Sequence, residues 1–198
     1  MIITPDSGTL MSFDEAEQLR QSEHFEQAIT VLEKALAFIE KVEHPISAEY
    51  YTRLALLYQQ SGQCDKGWHL LNHWLNHGLA GKNRYTDPAQ IWLDRATLCD
   101  RMRLFCQRDN RWREAVIYDF MFYVCRVTAC AIRPENCNLR AIRSKRAIWG
   151  ALTPTLRRAQ LLMKRDPLTE LMTTLFAALP NMDFDSARER VTRILAEK

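Results

Sequence analysis

The sequence predicts an all-α chain of about eight helices arranged as helical pairs, and three observations carry that prediction. Apolar residues recur at i, i+3 and i+4 through most segments, the spacing of one helical face. Six glycines and seven prolines in 198 residues are few, and they fall mostly between those segments. One helical phrase also occurs twice: Phe25, Ala28, Leu32 and Ala35 return 39 residues later as Cys64, Gly67, Leu71 and Trp74. Small residues at Ala28, Ala55 and Gly67 suit close helix–helix packing, where a bulky side chain would push the axes apart.

The elements follow in order. Ser12-Phe13-Asp14-Glu15 reads as a capping box, which starts the first helix at Phe13 and runs it to about Gln21. Ser22 is expected to cap the second helix, whose inner face carries Phe25, Ala28, Ile29, Leu32, Ala35, Leu36 and Ile39. Pro45 or Ser47 opens the third, with Tyr51, Leu54, Ala55 and Tyr58 inside. Gly62 allows a left-handed turn into the fourth, Cys64 to about His77. The stretch 78–86 is the longest loop, and the place where repeat geometry is expected to change. Asp87-Pro88 opens a fifth helix through Trp92, Leu98, Met102 and Phe105.

Trp112-Arg-Glu-Ala115 echoes Phe25-Glu-Gln-Ala28, so a third, degenerate pair is expected, its second helix being the apolar run that ends before Pro134. Residues 136–152 read as an irregular basic connector or a wedged helix. Helices are then expected after Pro154, from Asp166-Pro167 to Pro180, and from Asp183 or Asp185 onward. The division expected is 1–132 for three helical pairs and 133–198 for the basic connector and a helical cap.

The paired helices resemble the tetratricopeptide (TPR) family, over residues 13–78 and more loosely over 88–132. The spacings of 39 and then 48 between Phe25, Cys64 and Trp112 exceed that family's repeat of about 34 residues. The resemblance implies a right-handed solenoid whose concave groove, lined by the first helix of each pair, takes a peptide or protein segment. Carried onto this sequence, the groove candidates are Phe13, Glu17, Arg20, Thr52, Leu56, Gln59, Asp100 and Leu104. Phe13 and Glu17 stand where the family's carboxylate-clamp binders place lysine and asparagine, so that subtype is not expected.

Charge is unevenly spread. Residues 1–60 carry ten acids and four bases, whereas residues 101–165 carry fifteen bases and four acids. Such polarity suggests an acidic partner for the middle of the chain, with Arg143 and Arg146 as candidate contacts. The same arginines, with Trp112 and Trp149 to stack on bases, would serve a nucleic-acid-binding regulator using residues 101–165. No zinc-finger spacing or RNP motif accompanies them.

Other classes are excluded by what the motifs lack. There is no nucleophile elbow, phosphate-binding glycine loop or dinucleotide fingerprint, so no enzyme and no cofactor are expected. His69, His73 and His77 stack along one flank of a helix without a carboxylate beside them, and no metal is expected there. The N-terminus shows no basic leader or signal-peptide core, and Asp119 and Arg126 interrupt the longest apolar run, which therefore reads as a buried helix rather than a membrane span. Six cysteines then read as reduced thiols in a cytoplasmic protein. The function expected is a non-enzymatic protein-interaction module: an adaptor, a secretion chaperone or a toxin-neutralising immunity-type protein.

Overall fold

The computed structural model describes residues 7–39, 41, 46–80, 85–134, 145–159 and 183–196, and among them it is all-helical. It has two compact units, Met1–Asp87 and Pro88–Lys198. The N-terminal unit holds α1 (Ser7–Gln21), α2 (Phe25–Ile39), α3 (Ala48–Gln60) and α4 (Cys64–His77). Here α1 packs on α2, α2 on α3 and α3 on α4. The C-terminal unit holds α5 (Pro88–Arg108), α6 (Trp112–Ile132), α7 (Lys145–Arg158) and α8 (Phe184–Ala196), with α5, α7 and α8 all packed on α6. The third pair, α5 and α6, thus belongs by packing with α7 and α8.

Three hairpins share one turn. Each has three linking residues, and the middle one is left-handed: Glu23 (φ 62°), Gly62 (φ 82°) and Asn110 (φ 59°). The residue after it closes the same long backbone bond, His24 N–H to Leu19, Gln63 to Tyr58 and Arg111 to Cys106, at 2.8, 2.7 and 2.8 Å. This is the Schellman closure, which satisfies orphan carbonyls at a helix end. Four residues on, the second helix places Ala28, Gly67 and Ala115, all buried. The offsets of 39 and 48 read from the sequence are therefore the offsets of one conserved turn geometry.

The left-handed residues predict a measurable pair of effects. A Cβ added at Gly62 meets open space, so Gly62→Ala pays only for backbone conformation, about 1 kcal/mol. Glu23→Gly relieves the same strain and is expected to stabilise by a similar amount, read by urea unfolding. If Glu23→Gly destabilised, the turn would owe its shape to contacts of the Glu23 side chain.

Several boundaries differ from expectation. Helix α1 begins at Ser7, so Ser12 lies inside it and donates its hydroxyl to the Gly8 carbonyl at 3.2 Å instead of capping. Ser22 lies in the first turn, and the first bond of α2 runs to the His24 carbonyl. Ser47 does cap α3, its Oγ accepting from the Glu49 amide at 3.4 Å. Asp183 caps α8, accepting from both the amide and the hydroxyl of Ser186, and these bonds hold its carboxyl below the ordinary value. Helix α7 runs through Pro154, where the sequence suggested a helix start. Leu152 and Leu156 are both fully buried four residues apart, and burying two leucines, about 2 kcal/mol each, offsets the roughly 3 kcal/mol that an interior proline costs. The helix expected from Asp166-Pro167 to Pro180 lies outside the described residues.

Cys99, Cys106 and Cys125 are buried free thiols, but Cys130 is disulfide-bonded, against the expectation of six reduced cysteines. Among the described residues α6 alone is long and apolar enough to cross a bilayer, and here α5, α7 and α8 cover it.

Candidate functional site

The hairpin register shows where the third pair departs from the first two. Seven residues before the left-handed residue stand Ala16, Ala55 and Arg103; nine residues after it stand Leu32, Leu71 and Asp119. Ala16, Leu32, Ala55 and Leu71 are all buried. The third hairpin therefore carries an arginine and an aspartate where the others carry an alanine and a leucine. Asp119 is 7% exposed, and its Oδ1 lies 3.8 Å from Arg103 Nε.

Around this pair opens a pocket of about 430 Å³, bordered by α5, α6 and α7. Helix α5 supplies Asp100, Arg103 and Gln107, one turn apart on a single face. Arg103 donates to Asp100 Oδ1 through Nη2 at 2.6 Å and Nε at 3.2 Å, and to Gln107 Oε1 through Nη1 at 3.2 Å. From α7, the Thr155 hydroxyl donates to Asp119 Oδ2 at 2.7 Å. Burial pushes the Asp119 carboxyl above its ordinary value, while Thr155 and Arg103 pull the other way. Tyr123 on α6 is likewise pushed up by burial, so its hydroxyl keeps its proton. At the mouth the Arg158 guanidinium lies 4.8 Å from the Trp112 ring centroid, a cation–π contact that holds both.

The sequence candidates fare unevenly. Phe13 is 1% exposed, its ring 4.5 Å from that of Tyr50 and lying beneath Arg53. Thr52 is 0% exposed and spends its hydroxyl on the Glu49 carbonyl, and Gln59 is 8% exposed. These three are core, and the surface over Phe13 is presented by Tyr50 and Arg53 instead. Helix period places them on one helix face, and that face is buried against neighbouring residues. Glu17 and Arg20 remain half-buried and pair with each other at 2.6 Å, which takes the Glu17 carboxyl down to about 2. Asp100 lines the pocket. Arg143 lies outside the described residues, and Arg146 falls on α7 with its side chain undescribed.

Trp112 offers no free face on the Arg158 side for stacking on a base. Arg111 is held between Asp109 and Glu114, at 3.6 and 3.2 Å, so part of the basic middle is neutralised internally. On α4 the exposed His73 and His77 rings stack at 4.6 Å. Among the described residues no group of three or more His, Cys, Asp or Glu is placed to hold a metal ion.

Arg103 and Asp119 were missed as site residues, although the signal was present. Moving Ala55 and Leu71 forward by the 48-residue offset lands on both of them. Comparison of the chain with family models, curated proteins and solved structures found no match.

Proposed function

We propose that this chain is a non-enzymatic binding scaffold whose three hairpins act as TPR-like repeats, with the first helix of each pair facing a protein partner. The observation that carries the reading is the shared turn: three helix pairs closed by the same Schellman bonds, each with a small buried residue four positions on. A repeated unit of this kind builds an extended binding face from rigid elements, which is how helical-pair arrays ordinarily work. On that reading α5, as the first helix of the third pair, contributes Asp100, Arg103 and Gln107 to partner contact. Internal pairing of Arg103 and Arg111 leaves less of the basic middle for phosphates, so the nucleic-acid alternative ranks second.

Affinity purification from the native cell, with and without nuclease, tests the proposal. The expected result is one protein recovered stoichiometrically in both samples, and its loss when Arg20→Glu puts a second acid beside Glu17 on the groove face. Nucleic acid in the untreated sample, with every protein lost after nuclease, would replace the scaffold reading by the regulator.

A further inference from the structure

The exchange of an apolar core pair for Arg103 and Asp119 sits at a pocket where several donors are left without a protein acceptor. Part of its acceptor capacity is used inside the protein. Asp100 Oδ1 takes two N–H groups of Arg103, Gln107 Oε1 takes a third, and Asp119 Oδ2 takes the Thr155 hydroxyl. Its donors are not spent. Among the described residues there is no protein acceptor for the Gln107 amide N–H groups, the Trp112 indole N–H, the Tyr123 hydroxyl or the Arg158 guanidinium. The Gln107 N–H groups, the indole N–H and the guanidinium donate and do not accept, and the Tyr123 hydroxyl can donate; grouped around aromatic surface, they favour an acceptor-rich ligand with an apolar body.

Arg158 sets the sign of the charge. Its guanidinium carbon is held 4.8 Å from the Trp112 ring centroid, and a guanidinium fork matches a carboxylate bidentately. Arg103 already neutralises Asp100, so Asp119 is the pocket's remaining acid. Burial raises its carboxyl above the ordinary value, while Thr155 and Arg103 pull it down. The pocket volume of about 430 Å³ falls within the range of small-molecule sites.

We propose that the α5–α6–α7 pocket binds a small organic carboxylate, its carboxylate on Arg158 and the Gln107 amide, its apolar body against Phe122, Tyr123 and Pro154. This rests on the donor set alone and is independent of the scaffold reading. It also explains why a polar pair displaces core residues at this hairpin only: Arg103 locks Asp100 and Gln107 so that the amide donors are presented.

The test is a titration of the full chain with benzoate, benzamide and benzylamine, read by the NMR resonance of the Trp112 indole N–H. Benzoate is expected to shift it saturably, with benzamide and benzylamine weaker by about ten-fold or more. Arg158→Gln is expected to weaken benzoate by a similar factor, with only a small fall in the unfolding midpoint from loss of its exposed contact with Trp112. Asp119→Asn removes a like charge and is expected to tighten benzoate several-fold. Benzylamine binding as well as benzoate would overturn the proposal. So would unchanged affinity in Arg158→Gln, or a benzoate titration that leaves Trp112 unmoved. Retention of the protein partner through any of these failures would leave the scaffold reading standing.

Discussion

Ala115→Leu is expected to destabilise the C-terminal unit by about 2–3 kcal/mol, a fall of roughly 10 °C in its melting temperature. Ala115 is fully buried at the fourth position of α6, where α5 and α6 lie closest to their shared turn. At a fully buried position in a close-packed interior, three added carbons force the helices apart or the side chain out of its rotamer wells. The comparison that makes the result diagnostic is Arg113→Leu, two residues away and exposed, which should stay within about 0.5 kcal/mol. Equal effects from both would mean that close approach at this position is not what holds the hairpin. Loss of stability only in Ala115→Leu, followed by calorimetry, would extend the same rule to Ala28 and Gly67.

Thr155→Val is expected to cost about 1–3 kcal/mol at neutral pH, because it strips Asp119 of the one close hydrogen bond it makes among the described residues. The cost should depend on pH with a definite sign. Folding raises the Asp119 pKa above its ordinary 3.8, so the folded chain holds this proton more tightly than the unfolded chain. The stability this contributes is fully present below 3.8 and is lost as pH rises through the folded value. Removing Thr155 removes a group that lowers the pKa, so the loss with rising pH deepens. The groups facing Asp119 are Arg103 and Asp100 on α5, Tyr123 on α6 and Thr155 on α7. Urea unfolding at neutral and at acid pH checks this: the penalty should shrink toward acid. A penalty constant with pH would show that Thr155 acts through packing rather than through the carboxylate. In Asp119→Asn the amide oxygen still accepts from Thr155 and the pH dependence should vanish.

The second of these predictions turns on a site that is only half legible in sequence. Trp112, Arg158 and Asp100 stand out by type, as an aromatic among bases and as a first-helix polar residue. That Trp112 and Arg158 face each other is a contact across 46 positions, and no local pattern announces it. Asp119 looked like an interruption in an apolar run, an argument against a membrane span. Its role is visible only beside Arg103 and Thr155, which lie 16 residues before it and 36 after it.

Much of the architecture, by contrast, was determined locally. Apolar spacing placed α2 through α6 to within a few residues, because a helix buries one face and its period is set by backbone geometry. The same spacing located three hairpins, since a Schellman turn leaves a register of small and apolar residues on either side. Tertiary structure decided what local pattern could not. It carried α7 through Pro154, because buried Leu152 and Leu156 outweigh a proline's cost. It closed Phe13, Thr52 and Gln59 into the core, because a helix face that looks outward in isolation is covered by the next helix. It also turned two scattered charges into the floor of a pocket. Periodicity reports which side of a helix is buried, whereas what buries it depends on free energies summed over residues far apart in the chain.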